Sequence, residues 1–257
     1  MELQKFSSAM KRRNLSKSTI ASYSSSIRRY YERGYKFSFE DYCRYKEYLS
    51  SKLKPSSVCL EIHALNMYAE FKRVRFRLKP VKVQMQEYVE AQLTFAQYQK
   101  LCDCLYNDGN LRWWASIKVL ACTGVRISEF LQIKLEDLKI GYVDVCGKGD
   151  KYRRVWFPAS LRREVLSVYK EPGVLLPYND GVVRKRLHAF AKRYNIPKAV
   201  LHPHEFRAFY ARNVYDKCKD LKFLQNLLGH ASINTTMRYL RKTSKGISRR
   251  ISKIVTW

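Results

Sequence analysis

The sequence predicts a mainly α-helical fold with a small β-sheet, divided into two domains. Three observations carry this expectation. Apolar residues recur at helical spacing through most of the 257 residues. One short stretch changes to strand-like composition around the glycine-flanked turn Gly147-Lys148-Gly149-Asp150, as a hairpin does. Between residues 80 and 92 the helical period is lost, with periodic segments on both sides, so this stretch is expected to be an interdomain linker.

Residues 1–79 read as a helical bundle. Ser16 and Ser18 are candidate caps before Ile20, Tyr23, Ile27 and Tyr30, and Gly34 is the stop signal. A second segment covers Phe39 to Leu49. Pro55 opens a third, with Val58, Ile62, Leu65 and Tyr68 in helical step. Each segment is short and amphipathic, and together they can bury a small core. Their outer faces are basic, with Arg28, Arg29, Arg33, Lys52 and Lys54 among the cations. The tyrosines of this part could stack on bases, though packing in a core is their commoner use.

The second domain is expected over residues 93–240. Thr94 is its first N-cap, Gln97 completes a capping box, and Leu93 can staple onto Tyr98. Trp113 to Cys122 is apolar nearly all round and should be buried. It delivers Thr123-Gly124-Val125-Arg126 at its end, and Ser128 to Ile133 resumes helical spacing, so Arg126 sits at a glycine break between packed helices. Arg126 can also be read as a plain salt-bridge partner of Glu129. Tyr142 to Val145 and Arg153 to Phe157 are the two strands of the hairpin, with Lys148 and Lys151 near its tip. Pro158 to Val168 and Val182 to Tyr194 are further amphipathic helices.

A helix then begins near His204, with Phe206, Tyr210 and Val214 on its core-facing stripe and His204 and Arg207 together on another face. His202 reads as the residue that opens this helix. Leu221, Leu224, Leu227 and Leu228 follow in helical step and stop at Gly229, which suits the left-handed position past a helix end. His230, the polar run Ser232 to Thr236 and Tyr239 come next. Residues 241–257 are a basic tail in which Ile247, Ile251 and Ile254 fall in helical step.

Charge bounds the partner. Fifty Lys and Arg against 22 Asp and Glu give +28, which predicts a polyanion, and nucleic acid is the usual one. No apolar run approaches a membrane span, and residues 1–10 lack the hydrophobic region of a signal peptide. The seven cysteines are scattered at spacings that suit neither a disulfide framework nor a zinc site. Reduced, mostly buried thiols in a cytoplasmic protein are expected, and no metal is implied.

A histidine, a fixed cation, a second imidazole and a phenol on helix ends suit phosphoryl transfer. Donors aim at charged oxygens, and one hydroxyl can attack. The stretch His-Glu-Phe-Arg at 204–207, then Leu-Leu-Gly-His at 227–230, then Tyr239 nine residues later resembles the second box of the tyrosine recombinase, or phage integrase, family. Upstream, Thr123 to Leu138 resembles its first box. Ala208 departs from the pattern, where a histidine is common after the second arginine.

The resemblance implies an N-terminal core-binding domain of the SAM-like helical type before a tyrosine-recombinase catalytic domain. Tyr239 would attack a scissile phosphate of double-stranded DNA, giving a 3′-phosphotyrosine and a free 5′-hydroxyl, with no cofactor required because the phosphotyrosine conserves the bond energy. Tyr210 and Tyr215 are its near competitors. Arg126 and Arg207 would clamp the phosphate, and Lys148, with Lys151 as rival, would protonate the leaving oxygen. His204 would be general base or oxygen ligand, and His230 would bind the phosphate and seat the tyrosine; a satisfied cap histidine is the alternative that the Leu-Leu-Gly-His context disfavours. The family works as a homotetramer on two sites through a Holliday junction and passes its C-terminal segment between subunits. The N-terminal part suggests a simple Xer-like or invertase-like system associated with the nucleoid. A type IB topoisomerase-like nicking-closing enzyme and a non-catalytic DNA-binding protein are the alternatives.

Overall fold

The computed structural model describes residues 2–82, 88–146, 152–230 and 232–254. The chain divides into two compact units, residues 1–85 and 86–257.

The first unit is built from α1 (Glu2–Arg12), α2 (Lys17–Glu32), α3 (Phe39–Lys52) and α4 (Pro55–Phe71). Ser16 caps α2 by accepting from the Thr19 N–H at 3.2 Å, and Pro55 opens α4 where its missing N–H leaves no bond unmade. Helix α1 is absent from the three segments that periodicity predicts. Its apolar residues Leu3, Phe6 and Met10 do stand in helical step, and Phe6 and Met10 are fully buried, so the period is present in the sequence. Aromatic rings dominate this core. Tyr30 meets Tyr42 and Tyr45 edge-on at 5.2 and 5.0 Å, and Tyr68 meets Phe6 at 5.1 Å. These tyrosines pack inside the bundle, so base stacking is not their work.

The second unit opens with β1 (Tyr88–Val89) and α5 (Phe95–Asn107), then α6 (Leu111–Thr123), α7 (Ile127–Phe130) and α8 (Leu135–Ile140). The hairpin β2 (Tyr142–Cys146) and β3 (Tyr152–Trp156) follows, with α9 (Ala159–Val168) and α10 (Asp180–Arg193). Last come α11 (Pro203–Cys218), α12 (Leu221–Leu228), α13 (Ile233–Met237), a 3-10 turn (Arg238–Leu240), β4 (Lys242–Thr243) and α14 (Ser244–Ile254). Thr94 and Gln97 form the expected capping box on α5. Helix α6 is buried through Trp113, Ile117 and Leu120, and α11 packs along it. In the antiparallel hairpin Val145 pairs with Arg153 and Val143 with Val155, which turns Val145 and Val155 into the core.

Two features depart from expectation. Strands β1 and β4 pair in parallel, Tyr88 with Lys242 and Val89 with Thr243, so the end of the stretch read as a linker belongs to the second unit and holds the start of the tail. Two-residue strands have no period to detect. The cysteines are also not mostly buried. Only Cys102 is, five are partly exposed, and Cys218 lies at the surface. No helix among the described residues is long and apolar enough to cross a membrane.

Candidate active site

The site grows from the glycine at the end of α6. Gly124 adopts φ +61°, and a Cβ there would lie 2.3 Å from Cδ1 of Tyr210, so glycine alone lets α6 and α11 meet this closely. Two residues on, Arg126 stands at the N-cap of α7. Its backbone N–H donates to Oε2 of Glu129 at 2.8 Å and its Nη1 donates to Oε1 at 2.7 Å. The salt-bridge reading of Arg126 is therefore correct as geometry, and it mounts the guanidinium with 31% of the side chain still exposed.

Glu129 is fully buried and serves a second arginine that sequence reasoning left among the strand residues. Arg153 of β3 donates to both oxygens of Glu129, at 2.7 and 3.3 Å, and to the Leu227 carbonyl at 2.8 Å. Burial works to raise the Glu129 pKa, but hydrogen bonds from Arg153 and from the Arg126 backbone outweigh it and hold it near 2.

Arg207 occupies the centre. It is 1% exposed, although the sequence placed it with His204 on a face turned from the core stripe. Its Nη1 donates to the Gly124 carbonyl, and its Nη2 donates to the Leu228 carbonyl at 2.6 Å. Burial, then the nearby Arg126 cation, lowers its pKa to about 10, so it remains charged. Among the described residues its Nε–H is buried without a hydrogen-bond partner.

His230 follows Gly229, whose φ of +62° ends α12, and is 7% exposed. Its Nε2 lies 3.0 Å from Nη2 of Arg207 and its Nδ1 lies 2.8 Å from Oγ1 of Thr236. Burial, then the charges of Arg207, Arg126 and Arg153, pushes its pKa down to about 4, which keeps the ring neutral near pH 7. Tyr239, in the 3-10 turn after α13, stacks on this imidazole with centroids 5.5 Å apart and planes 11° from parallel. The Arg207 guanidinium lies 5.8 Å from the centre of the Tyr239 ring.

His204 lies in the first turn of α11 and is exposed. Local desolvation, then the positive charge of Arg184, lowers its pKa, with smaller effects from His202 and Arg207. It is thus within electrostatic reach of Arg207 while facing solvent. His202 is the N-cap of α11, its Nδ1 accepting from the Glu205 N–H at 3.2 Å. Tyr210 packs against Gly124, and burial raises its pKa. Lys148 and Lys151 lie outside the described residues. Arg126, Arg207, His230 and Tyr239 are brought together, and His204 stands at the edge. Arg153 and Thr236 escaped sequence reasoning, since neither a strand arginine nor a threonine in a polar run has a spacing that singles it out.

Chemically, three guanidinium groups surround one buried carboxylate. Arg126 and Arg153 are matched to Glu129, whereas Arg207 has carbonyl dipoles and a neutral imidazole as partners. Burial, and after it the neighbouring cations, depresses Arg207 and His230, and an anion entering here offsets that cationic part, which suits a charged phosphoryl group.

A family profile described as "Phage integrase family" matches residues 91–245. The tyrosine recombinase XerA of Pyrococcus furiosus is 26% identical, over 98% of this chain and 93% of its own. The tyrosine recombinase XerC of Staphylococcus carnosus is 31% identical, over 79% of this chain and 77% of its own. Among solved structures, a lambda integrase tetramer bound to a Holliday junction superimposes with TM-score 0.71 at 17% identity, covering 95% of this chain and 77% of that one. A XerH recombinase bound to its difH substrate gives TM-score 0.68 at 19% identity, covering 95% and 82%.

Proposed function

The chain belongs to the phage integrase family, and from that premise we propose that it is a site-specific DNA recombinase working through a 3′-phosphotyrosine. The observation that carries the reading is the stack of Tyr239 on His230 directly beside the buried Arg207. The phenol would attack the phosphorus, forming the Tyr239 O–P bond as the bond to the 5′-oxygen breaks. Arg207 and Arg126 would hold the non-bridging oxygens as charge builds on them. Lys148 would give its proton to the leaving 5′-oxygen. His204, open to solvent, would take up the phenol proton or ligate an oxygen, and His230 would seat the phenol behind the phosphate. The phosphotyrosine keeps the bond energy of the phosphodiester, so rejoining needs no cofactor.

The partner would be a double-stranded recombination site on the nucleoid in the cytoplasm, met through the +28 surface. Related proteins have been seen on difH and as a tetramer on a Holliday junction, which supports a homotetramer on two sites here. The tail could pass between subunits through the apolar side of α14, where Ile251 is 54% exposed.

The test is to trap the native protein on fragmented genomic DNA of its host, denature it, and sequence what remains attached. Adducts confined to one or a few sequences are expected. Adducts spread over all sequences would turn the reading to a topoisomerase-like enzyme, and none at all to a non-catalytic DNA-binding protein.

A further inference from the structure

The hydroxyl of Thr236 is a polar group of this site that the reading above leaves unused. It lies on α13, three residues before Tyr239, in a residue that is 0% exposed. Its partner is Nδ1 of His230, 2.8 Å away. The other ring nitrogen, Nε2, lies 3.0 Å from Nη2 of Arg207. A guanidinium only donates, so Nε2 presents its lone pair there. In a neutral ring the proton then resides on Nδ1, and the bond runs from Nδ1–H to Oγ1 of Thr236.

That bond has a mechanical consequence. Helix α13 is five residues long, and so short a helix has little stability of its own. Among the described residues, the Thr236 bond is the only side-chain hydrogen bond α13 makes, and it lands on the imidazole against which Tyr239 stacks. Hydroxyl, imidazole and phenol therefore form one connected unit, with Arg207 on its far side.

We propose that Thr236 is a positioning residue: its hydroxyl sets the tautomer and ring plane of His230 and so seats Tyr239 beside the Arg207 cation. The inference rests on the recombinase reading and deepens it. Thr236 touches no substrate in this role. With its bond in place the imidazole cannot turn, and the phenol has a fixed plane to lie on. Without it Nδ1–H is a buried donor facing a methyl group, and the ring reorients to recover a partner.

Two variants of the full chain test this. Thr236→Val keeps the shape and removes the hydroxyl, whereas Thr236→Ser keeps the hydroxyl. Nitrogen-15 NMR of the DNA-free protein, which has five histidines, should show His230 protonated at Nδ1 and bare at Nε2. Its Nδ1 signal should move in the valine variant and stay in the serine variant. On a nicked duplex of the sequence recovered by trapping, Thr236→Val should form adduct roughly 10- to 100-fold more slowly, with duplex affinity unchanged and Thr236→Ser within about 3-fold of native.

An Nε2–H tautomer in the native protein, native-rate cleavage by the valine variant, or a serine variant as slow as valine would each overturn the proposal. Should the valine variant fail to fold, the native and serine proteins decide it through the NMR arm and serine's cleavage rate. A native protein that shows the expected nitrogen signals but forms no adduct on any DNA sinks the recombinase reading and with it the seating of a nucleophile.

Discussion

Arg207 and Arg126 carry the same guanidinium, but the rear of the site holds one and the front holds the other by different means. Arg207 is 1% exposed and bonded to two backbone carbonyls and a neutral imidazole. Arg126 keeps 31% of its side chain exposed and leans on Glu129, which Arg153 also serves. The rear is thus part of the core, with its charge oriented before any ligand arrives. The front is a paired charge at the surface that can exchange part of its pairing for a substrate oxygen. Preorganisation behind and adjustability in front is a division of labour that suits charge developing on a bound phosphate.

The largest effect expected is at the junction of the two. Tyr239→Phe removes one oxygen and leaves the stack on His230 intact, so it should bind DNA normally and fold normally. Adduct should fall below about one part in a thousand of the native level on a denaturing gel. Persistent adduct in this variant, with loss in Tyr210→Phe or Tyr215→Phe, would move the nucleophile elsewhere.

Next comes the contrast between the arginines. Arg207→Met leaves the Gly124 and Leu228 carbonyls without their donor and should cost roughly 2–4 kcal/mol in urea unfolding. Arg126→Met leaves Glu129 paired with Arg153 and should cost within about 1 kcal/mol. Both should slow single-turnover cleavage by roughly 10²- to 10³-fold. Equal stability losses would erase the distinction between rear and front.

The third prediction uses pH. The folded pKa of His230 is depressed to about 4, so between the unfolded value of 6.5 and that point the unfolded chain binds a proton that the native state refuses. Stability should therefore fall as pH drops from about 6.5 to 4, by at most roughly 3 kcal/mol from this group. His202 and His204, also depressed, act in the same direction. Glu129, with a folded pKa near 2, is a separate matter: its contribution is intact above 4.5 and disappears as pH falls through 2. Measured unfolding in which His230→Asn leaves the slope between pH 6.5 and 4 unchanged would place the depressed group elsewhere.

The smallest effect lies at the seam. Gly229 and Gly109 both have positive φ, +62° and +69°, but a Cβ at Gly229 would lie 2.5 Å from Cδ of Arg153, whereas at Gly109 nothing lies within 4 Å. Gly109→Ala should cost about 1 kcal/mol from backbone strain alone. Gly229→Ala should cost about 1–2 kcal/mol and also slow cleavage, because Arg153 must shift from Glu129 and Leu227. Thermal unfolding beside cleavage separates the two, and a Gly109 variant that loses activity would contradict the assignment.

By itself the sequence determined what repeats or stands at a fixed offset. The amphipathic helices, the capping box at Thr94, the hairpin and the glycine stops at Gly124 and Gly229 are local choices of backbone conformation, written in neighbouring residues. Arg126, His204, Arg207, His230 and Tyr239 were legible as a candidate set because their order and spacing are a pattern in one dimension. Strands β1 and β4 were not legible, being too short to carry a period, whereas helix α1 carries Leu3, Phe6 and Met10 in helical step and was legible in principle. Tertiary structure alone decided that Arg207 is buried, that Arg153 shares the carboxylate of Arg126, and that Thr236 rather than a nearer hydroxyl meets His230. Those outcomes depend on which carbonyls and carboxylates arrive from segments 21 to 83 residues away in sequence, as with Leu228 and Gly124 at Arg207. Burial and the charges brought near it, not the identity of a side chain, then set how that side chain ionises.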